Sequence, residues 1–256
     1  MNGITGINSS SYYDYGKLAS GKRLQSASDG AAELAIATKI NSQVNGYDVG
    51  IRNMQSGKDL INIADGAMGG VNDYLQRIRE LALQASNSAI YSNDDLGGIQ
   101  QEIEQLKQGI NDIATQTQYN AQNILDGSKT SFQIAANGNG GSVTVNTASS
   151  LLEELGIADF DVTKDFDLDA IDRALMKVSG SRSSMGAKSN ALDYAISYNA
   201  NASYNLVGAQ SRLEDLDYPK AISEQKKQET LQLYSLMMQK RQMNDASVRM
   251  KKFLTF

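Results

Sequence analysis

Ser223-Glu224-Gln225-Lys226 sets a hydroxyl and an amine one helical turn apart, the Ser-x-x-Lys spacing that lysine-assisted serine chemistry uses. The companion Ser-Asp-Asn and Lys-Thr-Gly elements are absent, and the surrounding SEQKKQE is polar, so nothing desolvates the lysine into a base. A solvated helix face is the better reading. Glu102 and Glu104 are two residues apart and point to different sides of a helix, which rules them out as a paired acid and base. Asp159, Asp161, Asp165, Asp167, Asp169 and Asp172 form an acidic run around Phe160 and Phe166. That run lacks the turn glycine and the terminal glutamate of a calcium loop. It reads as a loop and helix start in which Asp167 and Asp169 cap and oppose the helix dipole. His, Cys and Trp are absent from all 256 residues. This removes imidazole bases, thiol nucleophiles, disulfides, haem or iron–sulfur ligation and almost every zinc site. The residues assemble no catalytic constellation, so the chain is expected not to be an enzyme and to need no cofactor or metal.

Other classes fall on charge and hydropathy. Lys plus Arg number 24 against 29 acidic residues, a net charge of −5, and no long basic block exists. Such a chain is a poor binder of nucleic acid or anionic membrane. No stretch approaches 18 apolar residues, so no membrane-inserted helix is expected. The opening MNGITGINSSSYYDYGK has no basic segment leading into an apolar run, unlike a conventional secretory signal. A single proline is equally telling, because long uninterrupted helices exclude it.

Helical periodicity dominates. Ser28-Asp29-Gly30 opens into AAELAIATKINSQV, with Ser28 or Asp29 as the expected cap. Leu60, Ala64, Ala67, Val71, Tyr74, Ile78 and Leu81 then alternate steps of four and three, an apolar seam of the coiled-coil kind. Gly46, Gly50, Gly57, Gly66, Gly69 and Gly70 in this tract suggest close backbone packing, with a break near Gly69-Gly70 as the alternative. A second helix, capped by Asp94 or Asp95, carries Ile99, Ile103, Leu106, Ile110, Ile113 and Thr117. Gln118 to Lys129 leads out of it, with Asp126-Gly127 as a turn. The period then changes to two. Phe132 and Ile134 precede Asn137-Gly138-Asn139-Gly140-Gly141, and Val143 and Val145 follow, predicting a β-hairpin within 130–147. One helical turn is expected around Leu151 to Leu155. The longest tract places Leu168, Ile171, Leu175, Val178, Met185, Leu192, Ile196, Asn199, Ser203 and Leu206 in a three/four rhythm that stops near Pro219. A last helical piece runs from Lys220, and its Met237, Met238, Met243 and Met250 read as adaptable core. The expected fold is mainly α, a long antiparallel helical bundle or coiled coil with a small β-hairpin region. Pairing the two halves would bury both seams, whereas the terminal segments keep stripes that the bundle cannot cover.

These residues carry a resemblance. LASGKRL (Leu18 to Leu24), DGAAELAIA (Asp29 to Ala37), LQRIRELALQASN (Leu75 to Asn87) and IQQEIEQLKQGINDIATQTQYNAQNILDG (Ile99 to Gly127) resemble the N-terminal part of a bacterial flagellin. FQIAAN resembles that family's FQIGAN strand. IDRALMKVSGSRSSMGAKSNALDYAI (Ile171 to Ile196) and NLVGAQSRLEDLD (Asn205 to Asp217) are similar to its returning helix and SRI-x-D-x-D signature. The motifs keep the family's order over almost the whole chain, which looks like a short form with inner and core domains only.

The resemblance implies a structural subunit of the swimming filament, secreted and extracellular. The alternatives are a minor flagellar or hook-associated junction protein, or a non-polymerising helical adaptor. It implies that residues 1–30 and 220–256 form the inner filament domain and 31–219 the core. Implied partners are further copies of the chain, an export chaperone and secretion apparatus, and hook–filament junction and cap proteins. The vertebrate flagellin-sensing Toll-like receptor is another, with Arg77, Leu81 and Glu102 matching the family's contact positions. Two departures fall in the inner segments. The lead before Leu18 is short, and the end MNDASVRMKKFLTF carries Arg249, Lys251 and Lys252 in place of a glutamine- and leucine-rich stretch.

Overall fold

A computed structural model of the chain describes residues 15–87 and 90–254. Helices α1 (Ala27–Ala85), α2 (Asn93–Gln116), α3 (Leu152–Leu155), α4 (Leu168–Glu214) and α5 (Tyr218–Leu254) make up most of it. Strands β1 (Gln118–Tyr119) and β2 (Gln122–Asn123) form one small ribbon, and β3 (Ser131–Ala135) and β4 (Ser142–Asn146) another, both antiparallel. The chain divides into two compact units, 43–204 and the pair of segments 1–42 and 205–256. The architecture is mainly helical, with long antiparallel helices and a small hairpin region.

In the unit 43–204, α1 and α4 run antiparallel. Asp48 accepts from Ser203 Oγ (3.0 Å), Lys58 pairs with Asp193 (2.5 Å), Asp65 with Arg182 (2.8 Å) and Arg79 with Asp172 (2.6 Å). Partner numbers fall along α4 as they rise along α1. Between these ties the core is apolar. Leu60, Val71, Ile78, Ile103, Ile110, Ile171, Val178 and Leu192 are buried, and Ile99, Leu106, Ile113, Leu168, Leu175 and Ile196 are partly buried against them.

Several sequence expectations are corrected. Tyr74 is 37% exposed, and Leu75 takes the buried place, because a helix of 3.6 residues per turn drifts from a strict heptad. No break occurs at Gly69-Gly70, where α1 stays helical. The helix does break at Gly30, whose φ of 155° and ψ of 87° suit a residue without a side chain. Asp29 turns backwards there, accepting from the Gln25 and Ser26 N–H groups and pairing with Lys17 at 2.6 Å. For α2 the cap is Ser92, in a reciprocal box with Asp95.

The hairpin β3–β4 seats on a bare stripe of α1. A side-chain carbon at Gly50 would lie 1.9 Å from the Ala136 carbonyl oxygen, and one at Gly57 2.2 Å from Ile134 Cδ1. That carbonyl accepts from Asn199 Nδ2 of α4 (2.6 Å), while Asn53 Nδ2 of α1 donates to Ala135 O (3.2 Å). Asn199 is 3% exposed, so its polar head is buried only because it has this partner. The connector between α3 and α4 is pinned to α2. Lys107, itself buried, reaches the Phe160 carbonyl, and Gln100 both donates to that carbonyl and accepts from Val162 N–H.

In the unit of the two terminal segments, Gly21 and Arg23 exchange backbone bonds with Leu216 and Glu214. Lys22 Nζ reaches Glu214 (2.9 Å), and Tyr218 Oη donates to Leu18 O (2.9 Å). Pro219 lies in the first turn of α5, where its missing N–H costs nothing, and Asp217 Oδ1 accepts from Lys220 N–H. Leu206 is half-buried.

Candidate assembly and recognition surfaces

The reactive-looking residues of the sequence resolve into solvated side chains and ordinary ion pairs. Ser223 and Lys226 are both exposed on α5. Glu102 pairs with Arg77, and Glu104 with Lys107. Three members of the acidic run, Asp161, Asp167 and Asp172, have side-chain partners. Asp161 accepts from Lys164 Nζ and from the hydroxyl and N–H of Thr163, and these hold its carboxyl down at about 2. Asp167 is held low by Arg173 and by the Asp169 N–H, and Asp172 answers Arg79. Among the described residues no group of three His, Cys, Asp or Glu could hold a metal ion.

Arg77 and Glu102 meet directly, but with Leu81 they do not form one exposed triad. Arg77 Nε and Nη2 both donate to Glu102 Oε1 (3.0 and 2.8 Å), and Nη1 donates to Glu80 Oε2 (3.1 Å). Glu102, then Glu80, raises the Arg77 pKa above its ordinary value. Both partners are about half exposed at the side chain. Leu81 differs, at 3% exposed, because the apolar seam continues through it into the core. The charged pair thus stands at the surface, while Leu81 belongs to the buried seam.

A larger surface lies on α5. Leu231, Leu233, Tyr234, Leu236, Met237, Met238, Met243, Val248 and Met250 are all exposed, Met243 by 70%. This corrects the reading of the methionines as core. Their periodicity is helical, with Leu236, Met243 and Met250 recurring every seven residues, but no other described element packs over them. Exposed apolar area of this extent marks a surface that a partner covers. No described helix is long and apolar enough to cross a membrane.

Comparison with known proteins places these features. Residues 1–130 match the family model of the bacterial flagellin N-terminal helical region, and residues 168–250 that of the C-terminal helical region. The flagellin of Halalkalibacterium halodurans is 38% identical over 216 residues, covering 81% of this chain and 79% of that one. The flagellin of Bacillus subtilis is 33% identical over 263 residues, with 88% and 86% covered. The crystal structure of Bacillus cereus flagellin superposes with a TM-score of 0.51 at 26% identity, over 58% of this chain and 88% of that chain. A putative flagellar hook-associated protein from Vibrio parahaemolyticus shares the fold, with a TM-score of 0.61 at 14% identity over 73% of this chain and all of that one. With two matched helical regions and relatives along four fifths of its length, the chain is a structural protein of the bacterial flagellin family.

Proposed function

We propose that the protein polymerises into the bacterial flagellar filament used in swimming, and is secreted to do so. The observation that carries this reading is the uncovered apolar face of α5. A heterologous contact repeated on every copy builds an open helical polymer. Residues 1–30 and 220–256 supply the inner filament layer and 31–219 the core. The inner segments gain lasting order from neighbouring copies, since a lone helix face is marginal in water. An export chaperone covers the apolar face before secretion, and hook-junction and cap proteins meet the same segments at the filament's ends. Seeding purified monomer with filament fragments tests the proposal by electron microscopy and sedimentation. Filaments are expected. A chain that stays monomeric at high concentration would be an adaptor instead.

Arg77, Leu81 and Glu102 are proposed as contacts for the vertebrate flagellin-sensing receptor in the monomer. Arginine's rigid fork suits an interface anchor, and the exposed Arg77–Glu102 pair supports that part of the site. Leu81 would act from beneath, by shaping the helix face. Arg77→Ala and Glu102→Ala should each weaken monomer binding to the receptor ectodomain with the helical signal intact. Unchanged binding in both variants would remove the site and leave the filament proposal standing.

A further inference from the structure

The sequence holds four Asn-Gly steps: Asn2-Gly3, which lies outside the described residues, Asn45-Gly46 in α1, and Asn137-Gly138 and Asn139-Gly140 in the hairpin loop. Asparagine before glycine is the step at which a backbone nitrogen most readily reaches the side-chain amide, because glycine presents no side chain to block the approach. The three described steps sit in different surroundings. Asn45-Gly46 lies within α1, where backbone N–H groups are engaged in the helical ladder. At Asn137 the side-chain oxygen accepts from Asn139 N–H (3.0 Å) and Gly141 N–H (2.9 Å), bonds that shape the loop. The Gly138 nitrogen packs on α1, where a side-chain carbon at Gly46 would lie 3.1 Å from it. Closing a ring at residue 137 would break both bonds and lift the loop from the helix. Asn139 and Gly140 are exposed, and neither the Asn139 amide group nor the Gly140 N–H meets a hydrogen-bonding partner among the described residues. Gly140 has a φ of +87° with open space around it, so its nitrogen can turn without a clash.

We propose that Asn139 is a self-modification site of the folded protein, converting to isoaspartate and aspartate while Asn137 and Asn45 stay intact. The Gly140 nitrogen attacks Asn139 Cγ, forming the N–Cγ bond of a succinimide. The Cγ–Nδ2 bond breaks, and Nδ2 leaves as ammonia with the proton that the Gly140 nitrogen has given up. Water, the only co-reactant, then opens the ring. Attack at the main-chain carbonyl gives isoaspartate with an extra backbone methylene, and attack at Cγ gives aspartate. Either product places a new carboxylate at the tip of the β3–β4 hairpin, two residues from the Asn137 turn. Nothing is oxidised or reduced.

The full-length protein, held in mildly alkaline buffer and mapped by peptide mass spectrometry with fragmentation that separates isoaspartate from aspartate, decides the matter. A synthetic peptide spanning residues 131–146 serves as the unfolded control. In the peptide both asparagines should convert at similar rates. In the folded protein, conversion among Asn45, Asn137 and Asn139 should be confined to Asn139, rise with pH, and be lost in Asn139→Ser. Gly140→Ala, which shields the nitrogen, should slow it. Equal conversion at Asn137 and Asn139 in the folded chain, or an Asn139 that stays intact while the peptide reacts, would overturn the proposal.

Discussion

Asp161 shows how one side chain can hold a connector and at what pH it lets go. Its carboxyl lies at about 2 in the fold, against 3.8 without its partners, first among them Lys164 and then Thr163. A carboxylate depressed by folding adds stability above its unfolded pKa, and that stability is lost as pH falls through the folded one. The connector should therefore loosen between about pH 4 and pH 2, and Asp161→Asn should remove that part of the acid transition. Hydrogen exchange of residues 158–166 across that range would show it. Gly50 answers to sterics instead. With the Ala136 carbonyl 1.9 Å from where a side-chain carbon would stand, Gly50→Ala must push the hairpin off α1. Overpacking of this kind costs about 1–3 kcal/mol, readable as a lowered urea midpoint. The sequence shows that glycines crowd this helix but not which of them face a neighbour. Gly66 and Gly69 are as conspicuous in the chain and face open space, because only the folded register decides what lies opposite. Arg77 and Glu102 were legible as positions through resemblance. Their direct bond was not, since they come from different helices 25 residues apart.

At the scale of elements, the seams of α1, α2 and α4 were legible because burial on one face imposes a period that composition cannot hide. The ribbon β1–β2 escaped notice. Its turn is Asn120-Ala121, with φ of 49° and 57°, and alanine is not a residue that announces a left-handed turn. That conformation costs a non-glycine residue about 1–2 kcal/mol, so Ala121→Gly should raise the thermal midpoint instead of lowering it. Differential scanning calorimetry would detect the change, and a lower midpoint would mean that Ala121 is held by contacts outweighing its backbone strain. The cap of α2 was misplaced by two or three residues for a related reason. Ser92 and Asp95 form a reciprocal box, and either member alone reads as a cap in the sequence.

For the whole molecule, the proposed filament role makes the exposed face of α5 the feature that separates folding from assembly. Its methionines and leucines look like core in the sequence because helical periodicity reports that a face will be covered, but not by which chain. Leu236→Asp with Met243→Asp changes residues that are 57% and 70% exposed, so the monomer's melting curve should stay put. Seeded elongation should stop, as measured by light scattering. Elongation at the wild-type rate would place the assembly contact elsewhere on the molecule. The four polar ties between α1 and α4 have a mechanical consequence of their own. They are strung along the helices from Asp48 to Arg79, a span of about 47 Å at 1.5 Å per residue. Tension applied at opposite ends of the antiparallel pair loads every tie in shear at once, whereas a pull at the unit's two boundaries, residues 43 and 204, meets Asp48–Ser203 first and peels the rest in turn. The same bonds make a stiff strut under axial load and a zipper when opened from one end.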